Sequence, residues 1–237
     1  METRKVALIT GASQGIGAGL VAGYRKLGYA VIANSRSIDV TPGADDSIVA
    51  VAGDISDPAV AERVVNTAVE RYGRVDALVN NAGIFIAKPF TEYTQADFDD
   101  ALRVNLGGFF HVTQHALAQM AQQGSGHVVN VTTTLVENAD SNVPSALASL
   151  TKGGLASVVK SLAIEYASRG IRVNAVSPGI VKTPLHQPSD FDTYASLHPL
   201  GRMGEIDDVV RGVLYLEQAP FVTGEFLHVD GGQSAGH

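Results

Sequence analysis

Residues Val6-Ala7-Leu8-Ile9 form an apolar run that leads directly into Thr10-Gly11-Ala12-Ser13-Gln14-Gly15-Ile16-Gly17, and an alanine- and glycine-rich helical stretch follows. This order predicts a buried strand, a glycine turn and the start of a helix. Glycine permits backbone dihedrals that side chains forbid and lets the backbone approach a ligand closely, while the free amides and the dipole of the helix start favour negative charge. The segment therefore predicts a binding site for a dinucleotide pyrophosphate, although glycine-rich turns also occur without a ligand.

Apolar strand-like runs recur along the chain and alternate with helical patterns. The runs are Val6–Ile9, Ala30–Ala33, Ile48–Ala52, Val75–Val79, Val128–Val131, Arg172–Val176 and Phe226–Val229. Strands that are apolar along nearly their whole length are buried on both faces, which requires a parallel sheet between two layers of helices. We therefore expect an α/β fold with a doubly wound parallel sheet of about seven strands and helices on both faces.

Capping residues and glycines predict the limits of several elements. Asp57-Pro58 predicts a helix start and Gly73 its end. A longer helix is predicted over Ala146–Ser168, ended by Gly170. Its broad apolar face comprises Leu147, Leu150, Leu155, Val158, Val159 and Leu162. The connection Ser37–Ser47 contains turn residues and no helical pattern, so we expect a loop there.

The helical pattern from Thr94 to about Gln123 is interrupted in its middle. Thr94 predicts the cap, and Phe98 and Leu102 are expected on the buried side. Asn105 and the pair Gly107-Gly108 follow, and glycine pairs are a usual cause of a bend in a helix. We expect a bend at this point.

Composition narrows the classes of function. The chain has 237 residues, a net charge of −7 and no cysteine. The charge argues against a nucleic-acid partner, and the lack of cysteine excludes disulfides, thiolate catalysis and cysteine metal sites. Without a linker or low-complexity tract, a single domain over residues 1–237 is expected. The first strand begins too early for a signal peptide, and no apolar stretch approaches the ~18 residues of a membrane span. A cytoplasmic protein is expected.

Further polar motifs follow the predicted strands. They are Asp54 after the third strand, Asn80-Asn81-Ala82-Gly83 after the fourth, Asn105, Lys152, Pro178-Gly179-Ile180-Val181-Lys182-Thr183 after the sixth, and the ending Thr223–Gly232. Together with the glycine turn they resemble the short-chain dehydrogenase/reductase family over essentially the whole chain. The resemblance implies a Rossmann-like fold and hydride transfer between a nicotinamide cofactor and a small carbonyl or alcohol.

The resemblance also implies roles for individual residues. Asp54 would lie on the adenine, Asn81-Ala82-Gly83 under the adenosine ribose and strand end, and Val181 with Thr183 on the nicotinamide amide. The residues expected at the cofactor are Gly11, Ser13, Gln14, Gly15, Ile16, Gly17, Arg36, Asp54, Ile55, Asn81, Ala82, Gly83, Lys152, Pro178, Gly179, Val181 and Thr183. A strand-ending turn at Asn80–Gly83 and a simple cap at Asp54 are the plain structural alternatives.

The end of the second strand indicates which cofactor is used. A carboxylate there would accept hydrogen bonds from the ribose hydroxyls of NAD and repel the additional phosphate of NADP. This chain has Ser35 where NAD-preferring relatives usually carry Asp, and Arg36 offers a planar cationic fork for a phosphate. NADP(H) is therefore expected in preference to NAD(H), although Arg36 could equally be a solvated surface residue.

The chain departs from the family at its working acid. The family places a tyrosine four residues before the lysine, on the same helix face, and this chain has Ala148 there. A phenol whose pKa is lowered by neighbouring positive charge can exchange a proton at neutral pH, and a methyl group cannot. The candidate replacements are a water above Ala148, Tyr194 or His186 from the substrate loop, or an acid on the substrate. Ser149 would be a poor donor.

The other catalytic positions are matched. Thr133 occupies the position of the serine that polarises the substrate oxygen, and Thr134 is a substitute because the following segment is about two residues longer than the family spacing. Lys152 would hold the nicotinamide ribose, and Asn105 would bind a water at the helix bend. The catalytic set expected is therefore Asn105, Thr133 and Lys152. The alternative is a catalytically weak or inactive NADP-binding sensor or structural protein.

Two other patterns suggest different chemistry. Ser149-Leu150-Thr151-Lys152 spells the Ser-x-x-Lys pattern of acyl-transferring enzymes, but the companion motifs are missing. His111 and His115 have the spacing of two metal ligands, but no third ligand is identifiable, and no metal is expected.

Substrate selection is expected at a loop of about residues 184–203. After Pro184, the segment up to Arg202 contains two further prolines and a glycine, which favour a loop. The substrate is expected to be a small molecule, and its identity stays open. The resemblance also implies a homotetramer or homodimer that pairs the helices after Thr94 and Ala146 with their symmetry mates.

Overall fold

A computed structural model describes residues 4–38 and 47–236 of the chain. Within them, one sheet has seven strands, and all its pairings are parallel. The strands are β1 Val6–Thr10, β2 Ala30–Ser35, β3 Ile48–Ala52, β4 Ala77–Asn80, β5 Gly126–Val131, β6 Ile171–Pro178 and β7 Phe226–Val229. All seven predicted strands and the doubly wound fold class are confirmed. The loop expected at Ser37–Ser47 lies largely outside the described residues.

The helices form two layers around this sheet. Their bounds are α1 Gly15–Lys26, α2 Pro58–Tyr72, α3 Gln95–Ala101, α4 Gly108–Gln123, α5 Ala146–Tyr166, α6 Phe191–Ala195 and α7 Ile206–Gln218. Side chains alternate across the strands, so Val6 and Leu8 pack with α2, α4 and α5, whereas Ala7 and Ile9 pack with α1 and α7. Burial on both faces explains why the strands are apolar throughout.

The strand order is β3-β2-β1-β4-β5-β6-β7. The chain therefore builds the sheet outward from β1 in one direction, and then returns to β4 and builds it in the other. Connections on either side of this reversal leave from the sheet on opposite faces, which opens a crevice at the carboxyl ends of β1 and β4. Ligands of open parallel sheets bind at such a point.

The predicted helix limits are largely confirmed. The Asp57 carboxylate accepts from the Ala59 amide at 2.9 Å, and Gly73 ends α2 in the left-handed region. Thr94 and Asp97 form a reciprocal cap at the start of α3. The interruption near Asn105 is a π-helix over Leu102–Gly107, so the helix widens there.

One expectation about a helix face was wrong. Phe98 is 38% exposed although it was expected on the buried side of α3. On α5, Leu150 of the predicted apolar face is 58% exposed. Leu102 is half-buried. An apolar residue on a helix does not reveal whether the chain's own core or another surface covers it.

The expectation about membrane-length segments also needs correction. One described stretch, Ala146–Arg169, is long and apolar enough by composition to cross a membrane. Leu147, Leu155 and Val159 on this stretch are buried, and its helix α5 lies against β6. A core helix that packs on a sheet has the same composition, so packing on the sheet accounts for its apolar character.

Candidate functional site

The glycine turn between β1 and α1 lies at the crevice and is shaped by close backbone approach. Gly11 and Gly15 have φ angles of +65° and +56°, in the region that favours glycine. A Cβ on Gly17 would lie 2.1 Å from the carbonyl oxygen of Gly11. Helix α1 begins after Gln14 without a side-chain cap, so its first amides keep their capacity to bind an anion. The turn therefore fits a pyrophosphate.

Thr10 and Asn81 tie the ends of β1 and β4 together. The Thr10 hydroxyl accepts from the Asn81 and Ala82 amides at 3.1 and 3.0 Å. The Asn81 side chain donates to the carbonyls of Thr10 and Gly11 at 2.9 and 3.2 Å. Asn81 thus fixes the turn itself. Thr10 was missed as a site residue, although its place between strand and glycine was a signal for it.

The end of β2 presents hydroxyls and a cation. The Ser35 hydroxyl donates to that of Ser13 at 2.9 Å, which joins the glycine turn to β2. Arg36 follows with an exposed side chain. Asn34 is turned inward, where its amide donates to the carbonyls of Val51 and Gly53. The side chains at this edge fit a phosphate ester better than two free ribose hydroxyls.

Asp54 and Ile55 follow β3 on the far side of the crevice. Asp54 accepts from the Ser56 amide and hydroxyl and from Arg103 at 2.6 Å. Although partial burial raises the pKa of Asp54, these hydrogen bonds outweigh it and keep the pKa below its usual value. Ile55 is buried against Gly108. Arg103 was not found from the sequence because its partner lies 49 residues away.

Lys152 and Asn105 lie at the carboxyl ends of β4 and β5. The Lys152 ammonium donates to the Thr132 carbonyl at 3.2 Å, and burial lowers its pKa to about 8. Asn105 accepts from the Ile84 amide at 2.8 Å and donates to the Ile84 carbonyl and the Thr151 hydroxyl. Its side chain therefore joins the π-helix to α5 and to the segment after β4. The expected water contact of Asn105 stays a prediction.

The structure separates the two candidate threonines. The Thr134 hydroxyl is fully buried and donates to Asp230 at 2.7 Å. Thr133 is half-buried, and its hydroxyl oxygen accepts from the Leu135 amide at a long 3.4 Å. Thr133 therefore keeps the capacity to donate to a substrate oxygen, and Thr134 anchors the strand end. Ala148 is only 3% exposed, so neighbouring residues cover its methyl group.

The loop after β6 closes over the glycine turn. Val181 is buried and pairs with Gly204, while a Cβ on Gly15 would lie 3.5 Å from Thr183. Pro178 ends β6, and Gly179 packs so closely that a Cβ there would lie 2.6 Å from the imidazole of His198. These residues surround the crevice opposite Asp54.

Two histidines of the expected substrate loop have different surroundings. His198 is 3% exposed; its Nε2 accepts from the Ile180 amide at 3.0 Å, and Nδ1 lies 2.9 Å from the Tyr194 carbonyl. It is a buried anchor, a role the sequence did not indicate. His186 packs its ring edge to face with Tyr194 and lies 3.5 Å from the Thr183 hydroxyl. Burial lowers the pKa of His186.

The two other patterns do not form sites. The Ser149 hydroxyl donates to the Leu135 carbonyl at 3.0 Å, and Lys152 bonds elsewhere, so no serine–lysine pair exists. Among residues 4–38 and 47–236, no cluster of three His, Asp or Glu side chains could hold a metal ion. His111 instead packs its ring against Phe110.

Comparison with known proteins adds to this geometry. A family model described as enoyl-(acyl carrier protein) reductase matches residues 11–234. The 3-oxoacyl-(acyl-carrier-protein) reductase FabG of Thermotoga maritima is 35% identical over 96% of this chain and 97% of its own length. The structure of ElxO with NADP bound superposes with a TM-score of 0.92 at 30% identity, covering 98% of this chain and 100% of that one. The 3-ketoacyl-(acyl-carrier-protein) reductase of Brucella melitensis, complexed with NADH, gives 0.89 at 34% identity over 97% and 98%.

The close approach at Gly17 can be tested by substitution. We expect Gly17→Ala to destabilise the protein by about 1–3 kcal/mol, because the new methyl group forces the Gly11 carbonyl and the turn to move. Gly107→Ala is the matched control, since Gly107 has helical dihedrals and its Cβ would meet nothing nearer than 3.8 Å. Urea unfolding measures both. Equal midpoints for the two variants would contradict the described turn.

Proposed function

Because the chain belongs to the short-chain dehydrogenase/reductase family, whose members are oxidoreductases, we propose that it uses NADP(H) to transfer a hydride between the nicotinamide and a small carbonyl or alcohol, an enone or an imine. One observation carries the proposal. The partly buried Lys152 lies beside Asn105 and the Thr132-Thr133 strand end, at the sheet edge where the glycine turn opens. Its hydrogen bond to the Thr132 carbonyl is to a neutral group, and no carboxylate lines its pocket to offset the burial of the charge.

We assign a separate role to each group at the carboxyl ends of the strands. The bound cofactor supplies or accepts the hydride. The glycine turn and the first amides of α1 bind its pyrophosphate, Asp54 and Ile55 receive the adenine, and Lys152 binds the nicotinamide ribose. Val181 and Thr183 orient the nicotinamide amide. Thr133 donates a hydrogen bond to the substrate oxygen, where negative charge develops in reduction.

The preference for NADP(H) rests on Arg36 and the two serines beside it. Arg36 can form two parallel charge-assisted hydrogen bonds with the ribose phosphate, and the Ser13 hydroxyl, which accepts from Ser35, can donate a further one. No carboxylate follows β2 at residues 35–38 to repel it. The NADP-bound neighbour supports this choice, while the NADH-bound neighbour shows that related chains also accept the other form.

A second candidate function is an NADP-binding sensor with little or no turnover. Ala148 favours it, because the chain lacks the phenol that the family uses as acid. Lys152 and Thr133 favour the enzyme, since a protein that only binds the cofactor needs no donor for a substrate oxygen. We propose the enzyme as the primary function. Residues 184–203 would select the substrate, and His198 would hold that loop to the nicotinamide-binding turn.

Apolar side chains on α4 and α5 support a proposed homotetramer or homodimer. Phe110, Leu150 and Ile164 are 56%, 58% and 80% exposed. Exposed apolar area of this kind is typical of a surface that another chain covers.

The mass of the protein in solution, measured by sedimentation, tests the proposed assembly. We expect sedimentation at the mass of two or four chains, and the double variant Leu150→Glu, Ile164→Glu should shift the protein to a smaller species, because the charges would be buried unpaired in the interface. Leu185→Glu, at an exposed leucine of the substrate loop, is the control. A wild-type protein that sediments as a single chain would overturn the proposed assembly.

Cofactor choice is tested at Arg36. Replacing it with alanine removes a charge-assisted contact worth about 1.5–3 kcal/mol, so the Kd for NADPH should rise about 10- to 100-fold while that for NADH stays unchanged. Cofactor fluorescence is a clean readout because the chain contains no tryptophan. Arg4→Ala controls for net charge, because Arg4 is exposed and precedes β1, at the amino end of that strand. An equal loss for both cofactors would exclude the phosphate contact.

Turnover is tested at Ala148. We expect the wild type to oxidise NADPH with at least one carbonyl, enone or imine, and Ala148→Tyr to raise kcat by about 10²–10⁴ by adding a general acid. Ala148→Phe controls for bulk, which matters because the position is buried. If the wild type binds NADPH and reduces nothing while Ala148→Tyr creates activity, the sensor is the correct function.

A further inference from the structure

Building on the proposed function, we propose that Lys152 is the proton donor of this chain, delivering a proton from its Nζ to the substrate oxygen directly or through one water. Helix α5 places Lys152 one turn after Ala148, on the same face. The ammonium therefore approaches the substrate from the side on which the phenol is missing. This role is additional to holding the ribose.

The path of the side chain supports this role. A Cβ on Gly83 would lie 3.9 Å from Lys152 Cε, so the stem passes close to a residue without a side chain. The Nζ atom then donates to the carbonyl of Thr132, the residue directly before Thr133. An ammonium has three donors, and two remain after this bond. In this proposal, one of them serves the substrate oxygen that the Thr133 hydroxyl binds.

The surroundings of the ammonium tune it for proton transfer. The other residues that line its pocket carry no ionisable side chain; they are Thr10, Ile55, Asn80, Ala82, Asn105, Gly108, Phe109, Val131 and Leu155. Without a carboxylate to stabilise the charge, burial lowers the pKa of Lys152 to about 8. The group is then still protonated at pH 7 and is a far stronger acid than an exposed lysine.

The neighbouring hydroxyls are less suited to the task. The Ser149 and Thr134 hydroxyls donate to the Leu135 carbonyl and to Asp230. The Thr151 hydroxyl donates to main-chain carbonyls one turn back on its own helix. Serine and threonine hydroxyls are also very weak acids.

The histidines of the substrate loop are less suited as well. Ile180 donates to Nε2 of His198, which requires the hydrogen of that ring to be on Nδ1, facing the Tyr194 carbonyl. His186 has a lowered pKa and is therefore mainly neutral at pH 7. Lys152 is the group that combines access, charge and acidity.

In reduction, bound NADPH would supply the hydride to the carbonyl carbon and be left as NADP⁺, and the π electrons of the C=O bond would move to oxygen. One N–H bond of Lys152 breaks, its electron pair stays on nitrogen, and the proton forms the O–H bond of the alcohol. The neutral amine then takes a proton from water. In alcohol oxidation the same amine accepts the proton.

The first experiment compares Lys152→Arg with the wild type. Arginine keeps the positive charge but does not release its proton. We expect kcat for reduction to fall about 10²- to 10⁴-fold, while the Kd for NADPH changes by much less. In the wild type, kcat should be steady at low pH and fall as pH rises through about 8, because the ammonium is lost. Adding Ala148→Tyr to Lys152→Arg should restore part of the activity, which a merely structural defect would not allow.

The second experiment needs neither cofactor nor turnover. NMR of the lysine Cε signals against pH should give Lys152 a midpoint near 8, well below the ordinary lysine value of about 10.4. A midpoint for Lys152 at the ordinary lysine value overturns the proposal. So does a Lys152→Arg variant with wild-type kcat and pH profile, a result that leaves the proposed function standing. NADPH binding without turnover at any pH overturns both.

Discussion

The site depends on the hydrogen bonds that join the end of β1 to the end of β4. Thr10 accepts two amides from Asn81 and Ala82, and the Asn81 side chain returns two bonds to the β1 turn. The strand order reverses between these two strands, so the connections diverge and leave polar main chain at the base of a crevice. These bonds satisfy those groups and hold the glycine turn where Gly17 meets Gly11.

A second set of bonds braces the other half of the site. Asp230, just after β7, accepts from Thr134 and from the amides of Gly232 and Ser234. The Asn138 side chain donates to the Gln233 carbonyl. The carboxy-terminal segment thus fixes the strand end that carries Thr133, and His198 joins the substrate loop to the main chain at Ile180. Hydrogen bonds from the described residues therefore hold both sides of the position proposed for the substrate.

Local signals predicted much of this molecule from its sequence. Apolar strands, the cap at Asp57 and the glycine that ends α2 each depend on a few neighbouring residues, and all were predicted correctly. Arg103 and Asp230 were missed because their partners lie 49 and 96 residues away. The same long-range bond engages the Thr134 hydroxyl and supports Thr133 as the proposed donor, which no local pattern could show. The exposure of Phe98 was mispredicted because periodicity identifies an apolar face without identifying what covers it.

Several unusual structural features lie together at the carboxyl ends of the parallel strands. Helix α1 starts without a side-chain cap, Leu102–Gly107 form a π-helix, and Lys152 is placed in a pocket without a counter-ion. The first and the last destabilise the fold slightly, because the α1 start leaves amide donors without a side-chain cap and the Lys152 charge is poorly solvated. A dinucleotide with phosphates at α1 and a ribose at Lys152 would satisfy the first and the last together. One ligand class therefore accounts for two unrelated features, the uncapped start of α1 and the poorly solvated charge of Lys152. A packing role for Lys152 would not account for the start of α1.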